Sequence, residues 1–397
     1  MVNVCDLGKQ PLANSLLKKN TDKQSKYDLV LCFCKKCKTI QISKSINKKK
    51  LFENYVWTTG VSKKAITFRN FFFKYASKYL NKNENTSASV LEIASNDGTF
   101  LVPFKNKGYF TLGIDPAKNL KKYQLKNKIE TIIDFFNKKN SIVIKKKYGL
   151  FDFIFARNVI PHNHDAIKII ENSKKILKDN GTICIEFHYL GSILRGLQYD
   201  SIYHEHIFYF SLMSIINALK IHNLIVVDLL KSPISGGALI VYAKNYEKNL
   251  KISSSVKKLL NIEKRNKLNS LSTWKSFSKN VSNHKYNFDR IFKKLSMKYK
   301  NICCYGASAR SSTFLNYVNL NNNHINYIFD KSELKVNKFS PGSRIKIVNV
   351  SKIKKIKPDL IIILAWNFKE EIIKELKKKY NYKNKFFVCF PKPKIIE

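Results

Sequence analysis

The sequence predicts an α/β protein with two doubly wound parallel sheets, one central and one C-terminal, behind a small cysteine-containing N-terminal domain. Apolar, strand-like runs alternate with helical spacing after residue 86, and the same alternation restarts after residue 295. Four of the eight cysteines cluster near the N-terminus, at positions 5, 32, 34 and 37. These observations divide the chain into residues 1–80, 86–245, a helical connector over 246–295, and 296–397.

The N-terminal cysteines predict a metal site before disulfides, because clustered cysteines in a cytoplasmic chain more often bind metal. Cys34 and Cys37 form a C-x-x-C pair, which is half of a zinc knuckle. Tetrahedral Zn²⁺ needs four ligands, and neither Cys5 nor Cys32 stands at knuckle spacing. An aromatic stretch over 52–79 and a polar linker over 81–87 follow this cluster.

The central block begins with an apolar run over 90–94 that ends in the turn Ser95-Asn96-Asp97-Gly98. We expect a helix over 99–107 and further strands over 109–114, 151–156 and 182–187, with a helix over 165–177. Residues 224–229 and 238–243 are the expected last strands. Parallel sheets of this kind bind ligands at such strand-end turns.

The turn after the first central strand indicates a nucleoside-containing cofactor. Asp115 ends the second strand, where an acid accepts hydrogen bonds from ribose hydroxyls. A carboxylate at Glu92 or Asp97 is suited to the cationic amino-acid end of S-adenosylmethionine (SAM). The three-glycine dinucleotide motif and the P-loop are both absent. The alternative is that Asn-Asp-Gly is only a turn and Asp115 only a helix cap.

Tyr203-His204-Glu205-His206 concentrates titratable groups and indicates general base catalysis. Glu205 or Tyr203 would orient the imidazole or stabilise a developing oxyanion. Metal binding is less favoured, because neighbours in a strand point to opposite faces and no H-x-x-x-H spacing exists. His162 follows another strand end, where it either faces the same cleft or caps a loop.

The C-terminal block has expected strands over 301–305, 325–329, 360–364 and 386–389. Small residues follow the first of them over 306–309, and Arg310 comes next. Two interpretations stay open. The backbone amides and Arg310 bind a phosphate, or the small residues let the helix pack on the sheet.

The net charge of +45, from 73 basic and 28 acidic residues, permits a polyanionic partner. The charges are spread along the chain, however, and are nearly all Lys in an Asn- and Ile-rich background, as an AT-rich genome produces. We therefore expect no nucleic acid as primary partner, although the field would attract a nucleotide diphosphate. No run of about 18 apolar residues and no signal peptide is present, so we expect a cytoplasmic protein without a membrane partner.

Several motifs in the same order resemble those of the sugar C-methyltransferases of deoxysugar biosynthesis, which act on nucleotide-linked 4-keto sugars. Residues 200–206 are close to the family's D-T-I-Y-H-E-H, and 92–101 to its E-I-G-S-N-D-G-x-L-L. Further similarity covers residues 7–14 (L-G-x-x-P-L-A-N), 52–57 (F-x-x-Y-x-Y), 157–159 (N-N-V), 235–239 (H-G-G-S-L) and 305–316 (Y-G-A-x-A-K-x-x-T-L-L-N).

The resemblance implies a zinc-binding N-terminal domain, a class I (Rossmann-like) methyltransferase core and a second Rossmann-like domain. It implies His206 as the base that forms a sugar enolate, with Tyr203, Glu205, His162 and Tyr55 lining the pocket. The cofactor would be SAM, and the substrate a nucleotide-diphospho sugar bound by a monomer or weak oligomer. The implied cofactor-binding residues are Glu92, Ala94, Ser95, Asn96, Asp97, Gly98, Asp115 and Asn158.

Three departures from the family pattern matter. The family's first C-x-x-C would precede Leu7, so either the start codon is assigned too late or half of the zinc ligands are lost. Trp57 replaces a tyrosine, while Ser235 and Arg310 replace a histidine and a lysine, which indicates a different sugar or nucleotide. Two other functions stay open, namely an O- or N-methyltransferase, and a basic nucleic-acid-binding protein with a degenerate zinc knuckle.

Overall fold

A computed structural model describes residues 1–46, 58–61, 63–80, 87–232 and 236–396. Tyr55, Trp57, Ser235 and most of the predicted linker lie outside these residues. The strands are β1 (Val2–Pro11), β2 (Lys26–Phe33), β3 (Ile40–Ile42), β4 (Ser89–Ile93), β5 (Phe110–Ile114), β6 (Glu130–Ile132), β7 (Phe151–Arg157), β8 (Leu177–His188), β9 (Phe208–Tyr209), β10 (Leu224–Ser232), β11 (Ala238–Asn245), β12 (Ile302–Tyr305), β13 (Ile328–Asp330), β14 (Ile347–Asn349), β15 (Leu360–Ile363), β16 (Lys385–Val388) and β17 (Lys394–Ile396).

The helices alternate with the strands of the two larger sheets. They are α1 (Lys63–Ala76), α2 (Val102–Asn106), α3 (Lys121–Lys126), α4 (Lys138–Tyr148), α5 (Ala166–Lys175), α6 (Leu190–Arg195), α7 (Leu212–Lys220), α8 (Ser254–Arg265), α9 (Leu271–Lys298), α10 (Ala309–Tyr317), α11 (Ile353–Ile356) and α12 (Lys369–Tyr380). None of the helices in the described part of the chain has both the length and the apolar character that a membrane crossing needs.

The N-terminal sheet is antiparallel and has the order β1-β2-β3-β9. Its fourth strand comes from the middle of the chain, because Ile40 pairs with Tyr209 and Gln41 with Phe208. Leu29, Leu31 and Phe33 of β2 are buried beneath it. The segment that contains the predicted base therefore runs directly into a strand of the N-terminal sheet.

The central sheet has the order β10-β11-β8-β7-β4-β5-β6. Strands β4 to β8 are parallel to one another, as the alternation predicted. The last two strands differ from that expectation, since β11 is antiparallel to β8 and β10 antiparallel to β11. Only five residues separate β10 from β11, and antiparallel neighbours need no crossover helix of the kind that parallel strands require. The helix predicted over 99–107 is also shorter in the structure, where α2 covers only Val102–Asn106.

The predicted connector consists of two helices, α8 and the long α9. Buried residues recur every three or four positions along α9, which gives it an apolar face: Trp274, Phe277, Val281, His284, Phe288, Phe292 and Leu295. His284 joins two parts of the molecule, because its Nε2 lies 2.8 Å from the Cys389 carbonyl and its Nδ1 3.1 Å from the Tyr199 hydroxyl.

The C-terminal sheet has the order β14-β13-β12-β15-β16-β17, parallel except for β17. The chain runs from β12 outward to β14 and then returns to β15 on the other side, so the strand order reverses between β12 and β15. The second strand begins later than predicted, at Ile328 rather than 325. These two doubly wound sheets with a small N-terminal domain confirm the predicted fold class.

Candidate active site

The turn after β4 lies where the central sheet reverses its strand order, with β5 on one side of β4 and β7 on the other. Its backbone is left-handed at Ala94 (φ 55°), Asn96 (φ 53°) and Gly98 (φ 76°). Glycine and asparagine adopt this region readily, whereas alanine is strained in it, and such strain clusters at functional sites. The predicted cofactor turn thus combines strain with the place at which open α/β sheets bind ligands.

Asp115, directly after β5, holds this turn through its carboxylate. Oδ2 accepts a hydrogen bond from the Asn96 N–H at 2.8 Å, and Oδ1 accepts one from the Ala117 N–H at 2.8 Å. Burial raises the pKa of Asp115 to about 6, although these two N–H groups lower it. Further donors would stabilise the buried carboxylate, and ribose hydroxyls are donors of that kind.

The side chains of Asn96 and Asp97 hold the segment that leads into α1. Asn96 Oδ1 accepts from the Thr59 N–H at 3.0 Å, and Asp97 Oδ2 from the Gly60 N–H at 2.7 Å. Asp97 Oδ1 accepts from the Thr99 N–H at 3.1 Å. Both oxygens of Asp97 therefore bind backbone, which leaves Glu92 as the stronger candidate for the cationic end of SAM.

Glu92 is buried in β4, and its Oε2 has no hydrogen-bond partner among the described residues. Burial raises its pKa well above the usual value, while the charge of Arg157 lowers it. Ser95 Oγ is likewise buried without a partner in the described part of the chain. Orphaned polar atoms at the ligand edge of a sheet fit a ligand that brings its own donors.

The end of β7 connects the cofactor turn to the predicted catalytic residues. Asn158 is left-handed (φ 53°), and its N–H donates to the Glu186 carbonyl at 2.8 Å. The preceding Arg157 pairs with the buried Glu186 carboxylate at 2.6 Å. His162 follows in the single-turn 3-10 helix Ile160–His162. Cofactor and catalytic candidates therefore lie along one strand end.

His206 is held by two contacts that define its tautomer. Its Nδ1 lies 3.0 Å from the Ser201 carbonyl, which can only accept, so Nδ1 carries the proton. Its Nε2 lies 2.7 Å from the Tyr203 hydroxyl and accepts from it. Burial lowers the pKa of His206 well below the usual value, and the nearby His162 lowers it further. The imidazole is consequently neutral at physiological pH, with its basic nitrogen facing a phenol.

His162 packs edge-on against His206, with 4.6 Å between the ring centroids. Its Nδ1 donates to the Glu205 carbonyl at 2.7 Å, and burial lowers its pKa to about 4. The interpretation in which His162 faces the same cleft as His206 therefore agrees with the geometry.

The Glu205 side chain does not contact His206, contrary to one of the two expected arrangements. Its Oε1 accepts from Asn14 Nδ2 at 3.1 Å, and burial raises its pKa. Tyr203, and not Glu205, orients the imidazole. His204 is buried against β2, where its Nε2 lies 3.3 Å from the Asp28 carbonyl, so it anchors the loop to the N-terminal sheet.

His188 is a candidate that the sequence interpretation missed. It ends β8, next to β7, and its Nε2 donates to Gln198 Oε1 at 2.9 Å. Burial and, to a smaller extent, the charge of Arg310 lower its pKa to about 3. The sequence did contain a signal for His188, namely a polar residue at the end of the apolar run of β8. The same kind of signal identified Asp115 after β5.

The predicted zinc ligands Cys34 and Cys37 lie together after β2, and the Cys37 N–H donates to Cys34 Sγ at 3.5 Å. This contact lowers the pKa of Cys34. Cys32 Sγ instead donates to Asn3 Oδ1 at 3.1 Å, and burial raises the pKa of Cys5 to about 11. No group of three or more potential metal ligands exists among the described residues, so these residues do not fit a tetrahedral zinc site.

Arg310 does not offer its guanidinium to a phosphate in the predicted manner. Its Nε and Nη2 donate to the two oxygens of Asp200, at 2.9 and 2.8 Å. A side chain at Gly306 would meet Ala365 Cβ at 2.7 Å, so the glycine permits close packing. The second interpretation, close packing of small residues, is therefore the one that this turn supports.

Three family models match successive parts of the chain. Residues 1–52 match a "Putative zinc binding domain", residues 63–229 a "Methyltransferase domain" and residues 233–391 a "C-methyltransferase C-terminal domain". The C-methyltransferase NovU of Streptomyces niveus is 26% identical over 397 residues, which is 100% of this chain and 94% of the relative.

Solved structures with limited similarity include two proteins. Magnesium protoporphyrin IX methyltransferase of Synechocystis PCC 6803, with bound SAM, covers 46% of this chain and 80% of its own at 11% identity, with a TM-score of 0.34. The PH0226 protein of Pyrococcus horikoshii OT3 covers 51% of this chain and 100% of its own at 16% identity, with a TM-score of 0.37.

The residues at the central strand ends fit SAM, because a strained turn, the Asp115 carboxylate and the orphaned Glu92 oxygen meet there. The family models and the full-length relative agree on the reaction class. The chain is therefore a SAM-dependent methyltransferase, similar to C-methyltransferases in its C-terminal domain and over the full length of one relative.

Proposed function

We propose that this enzyme methylates a carbon atom of a nucleotide-linked 4-keto deoxysugar, with His206 as the general base. The observation that carries the proposal is the neutral, buried imidazole of His206, whose Nε2 faces Tyr203 at 2.7 Å. A carbon nucleophile must be created by removing a C–H proton, and a neighbouring ketone makes that proton acidic. A neutral imidazole can accept it without first losing a proton of its own.

Tyr203 is suited to two successive roles. In the ligand-free site its hydroxyl donates to His206 Nε2. When a substrate C–H takes that place, the hydroxyl is released to donate to the developing enolate oxygen. The enolate then places a negative charge beside His206, which offsets the cost of a buried imidazolium.

His206 holds its position through the Ser201 carbonyl, which fixes the proton on Nδ1. His162 is fixed in the same way by the Glu205 carbonyl. Two imidazoles with defined tautomers therefore present acceptor nitrogens at Nε2. Such fixed dipoles favour one orientation of a polyhydroxylated ring without carrying a charge at neutral pH.

SAM, when bound, supplies the electrophilic methyl group. Asp115 would accept the ribose hydroxyls and Glu92 the cationic amino-acid end, at the strand ends that lead to His162. The net charge of +45 supports a substrate with a diphosphate, because a positive field raises the local concentration of anions.

The direct test is incubation of the protein with labelled SAM and a panel of 4-keto nucleotide sugars. We expect transfer of label to a sugar carbon of at least one member. Label on an oxygen or nitrogen atom would replace the proposal with the O- or N-methyltransferase alternative. Transfer to none of them by a protein that binds S-adenosylhomocysteine (SAH) would refute the sugar substrate.

The role of His206 is tested by deuterium exchange into the sugar in D₂O. His206→Asn keeps a donor toward Ser201 but has no basic nitrogen, and we expect exchange to fall by about 10³-fold or more. Tyr203→Phe should slow exchange by about 10- to 100-fold, since it removes a single donor. The exposed His324, in the C-terminal part, gives the matched control His324→Asn with normal exchange.

The pH profile provides a second check. Because the pKa of His206 is lowered, the base stays deprotonated as pH falls below 6.5, and exchange should stay constant between about pH 6 and 8. A rate that falls tenfold per pH unit below 7 would show a base with an ordinary or raised pKa, which contradicts the assignment.

A further inference from the structure

The residues Asp200–Ile202 form a buried strip between the central sheet and the C-terminal domain. Their exposed fractions are 1% for Asp200, 0% for Ser201 and 0% for Ile202. The strip directly precedes Tyr203, and its middle carbonyl fixes His206. Whatever holds this strip therefore also holds the proposed base.

Two residues of the C-terminal domain hold the Asp200 carboxylate. Arg310 binds it with two parallel hydrogen bonds, from Nε to Oδ2 at 2.9 Å and from Nη2 to Oδ1 at 2.8 Å. Trp366 Nε1 adds a third bond to Oδ2 at 2.8 Å. The Arg310 guanidinium carbon also lies 4.7 Å from the centroid of the Trp366 ring. Bidentate geometry fixes orientation as well as distance.

A third residue of the same domain holds the other end of the strip. The Thr313 hydroxyl donates to the Ile202 carbonyl at 3.2 Å, and this contact is buried. Arg310 and Thr313 both belong to α10. The Ser201 peptide is consequently flanked on both sides by anchors from one helix.

The residues around Arg310 leave space for its guanidinium and add a further hydrogen bond to it. Gly236 is left-handed (φ 82°), and a side chain there would meet Arg310 Nη1 at 2.9 Å. Gln198 Oε1 accepts from Arg310 Nη2 at 3.4 Å and from His188 Nε2 at 2.9 Å. One guanidinium thus contacts both the strip that fixes His206 and the amide that fixes His188.

The anchors lie where the C-terminal sheet reverses its strand order. Arg310 lies in the first turn of the helix after β12, and Trp366 follows β15. These are the two strands on either side of the reversal. Open α/β sheets bind ligands at this place, and here the Asp200 carboxylate of the same chain occupies it.

We propose that Arg310 is a positioning residue, which sets the place and tautomer of His206 by holding Asp200 and, through it, the Ser201 carbonyl. The C-terminal domain thereby helps to order the proposed active site of the central domain. The inference rests on the proposed role of His206 for its effect on rate, but its effect on the His206 ring does not depend on that role.

The test compares Arg310→Met, Arg310→Lys and Asp200→Asn with a matched control in the SAH-bound full-length protein. Lys178→Met is that control, because it breaks a partly buried ion pair of the same length, 2.8 Å to Asp152. Neither Lys178 nor Asp152 takes part in the contacts described for the catalytic residues. Ring nitrogens of His206 are followed by NMR after selective ¹⁵N-histidine labelling and are assigned with His206→Asn. Thermal unfolding and methyl-transfer rates are measured in parallel.

We expect Arg310→Met and Asp200→Asn to convert the single Nδ1–H tautomer of His206 into a mixture. They should also lower kcat by about 100-fold with KM changed less than about threefold, as displaced catalytic groups do. Arg310→Lys keeps the charge but loses the second parallel hydrogen bond, so its tautomer ratio and rate should fall between those of the wild type and Arg310→Met. Lys178→Met should leave the His206 signals unchanged even if its unfolding temperature falls as much.

Unchanged His206 signals in a folded Arg310→Met protein would overturn the positioning role, whatever the rate. If His206→Asn itself keeps full activity, the proposed function fails instead. The NMR signals of the His206 ring in Arg310→Met then still decide whether Arg310 positions that ring. A rise in KM alone would assign Arg310 to substrate binding and would likewise overturn the inference.

Discussion

The central and C-terminal sheets hold the turn after their first strand with the same hydrogen bonds. In the central sheet Asp115 accepts from the Asn96 N–H and from the N–H two residues after itself. In the C-terminal sheet Asp330 accepts from the Ala307 N–H at 2.8 Å and from the Ser332 N–H at 2.8 Å. In both sheets the strand order reverses beside that first strand.

The surroundings of the two turns differ. The central turn has left-handed backbone at Ala94, Asn96 and Gly98, and polar atoms beside it have no hydrogen-bond partner among the residues that the structure describes. In the C-terminal turn Ser308 caps α10 together with Ser311, and Lys335 lies 3.6 Å from Asp330. The same backbone arrangement is therefore suited to a ligand where its polar atoms are left unsatisfied. When the protein satisfies them, the same arrangement becomes a docking face.

Removal of each carboxylate in turn distinguishes the two turns most strongly. We expect Asp115→Ala to weaken SAH binding by about 100-fold, because the ribose loses its charged acceptor and the turn loses its brace. Asp330→Ala should lower the free energy of unfolding by about 1–2 kcal/mol and leave SAH binding within about twofold. Titration calorimetry and urea unfolding measure both quantities. Loss of SAH binding in Asp330→Ala would show that the C-terminal sheet also serves the cofactor.

Substitution of Gly306, the glycine of the C-terminal turn, should lower the stability of the fold. Gly306 has φ 99°, and a side chain there would meet Ala365 Cβ at 2.7 Å. We expect Gly306→Ala to lower the free energy of unfolding by about 2–3 kcal/mol, from backbone strain and overpacking together. Urea unfolding measures it, with Gly108→Ala as control, since that glycine also has a positive φ (85°) but has nothing within 4 Å. Equal losses in both variants would show that packing at Ala365 is not the cause.

Much of the two larger sheets could be predicted because parallel strands are buried on both faces and read as unbroken apolar runs. The run Leu360–Ile363 is entirely Leu and Ile and is fully buried. The N-terminal strands were missed because β1 contains Asp6, Gly8 and Lys9 and has register shifts. The two-residue strand β9 carries no periodic signal at all.

The same distinction applies to the site. Asp115 and the Tyr203–His206 pair could be recognised because each depends on residues close together in the chain. The Asp200–Arg310 pair joins residues 110 positions apart, and a lone Arg after a strand indicates phosphate as readily as a partner carboxylate. The zinc expectation was limited in the same way, because the spacing of cysteines does not reveal the partner of each thiol. The Cys32 thiol donates a hydrogen bond to Asn3, a residue 29 positions away.

The pH dependence of SAH binding sharpens the role given to Asp115. Burial raises its pKa to about 6 in the ligand-free protein, whereas donated ribose hydroxyls favour the carboxylate. Affinity should therefore fall as pH decreases through 6, by about tenfold at pH 5. For folding the sign is opposite, because a raised carboxyl pKa contributes stability at low pH that is lost as pH rises through 6.

Calorimetry at pH 5, 6 and 7.5 measures this effect, with Asp115→Asn as the comparison. We expect the variant to bind more weakly and with little dependence on pH. A slope that persists in Asp115→Asn would assign the titration to Glu92, whose pKa is also raised by burial.

The smallest effect concerns Ala94, at which the family pattern E-I-G-S-N-D-G has glycine. Ala94 is held at φ 55°, a conformation in which an alanine costs about 1–2 kcal/mol. After the greater entropy loss of glycine on folding is subtracted, Ala94→Gly should raise the free energy of unfolding by about 0.5–1 kcal/mol. This is the reverse of Gly306→Ala, and urea unfolding of the two proteins tests them as a pair. If Ala94→Gly destabilises the protein, the strain of the central turn is not stored at this residue, and the contrast between the two turns loses that support.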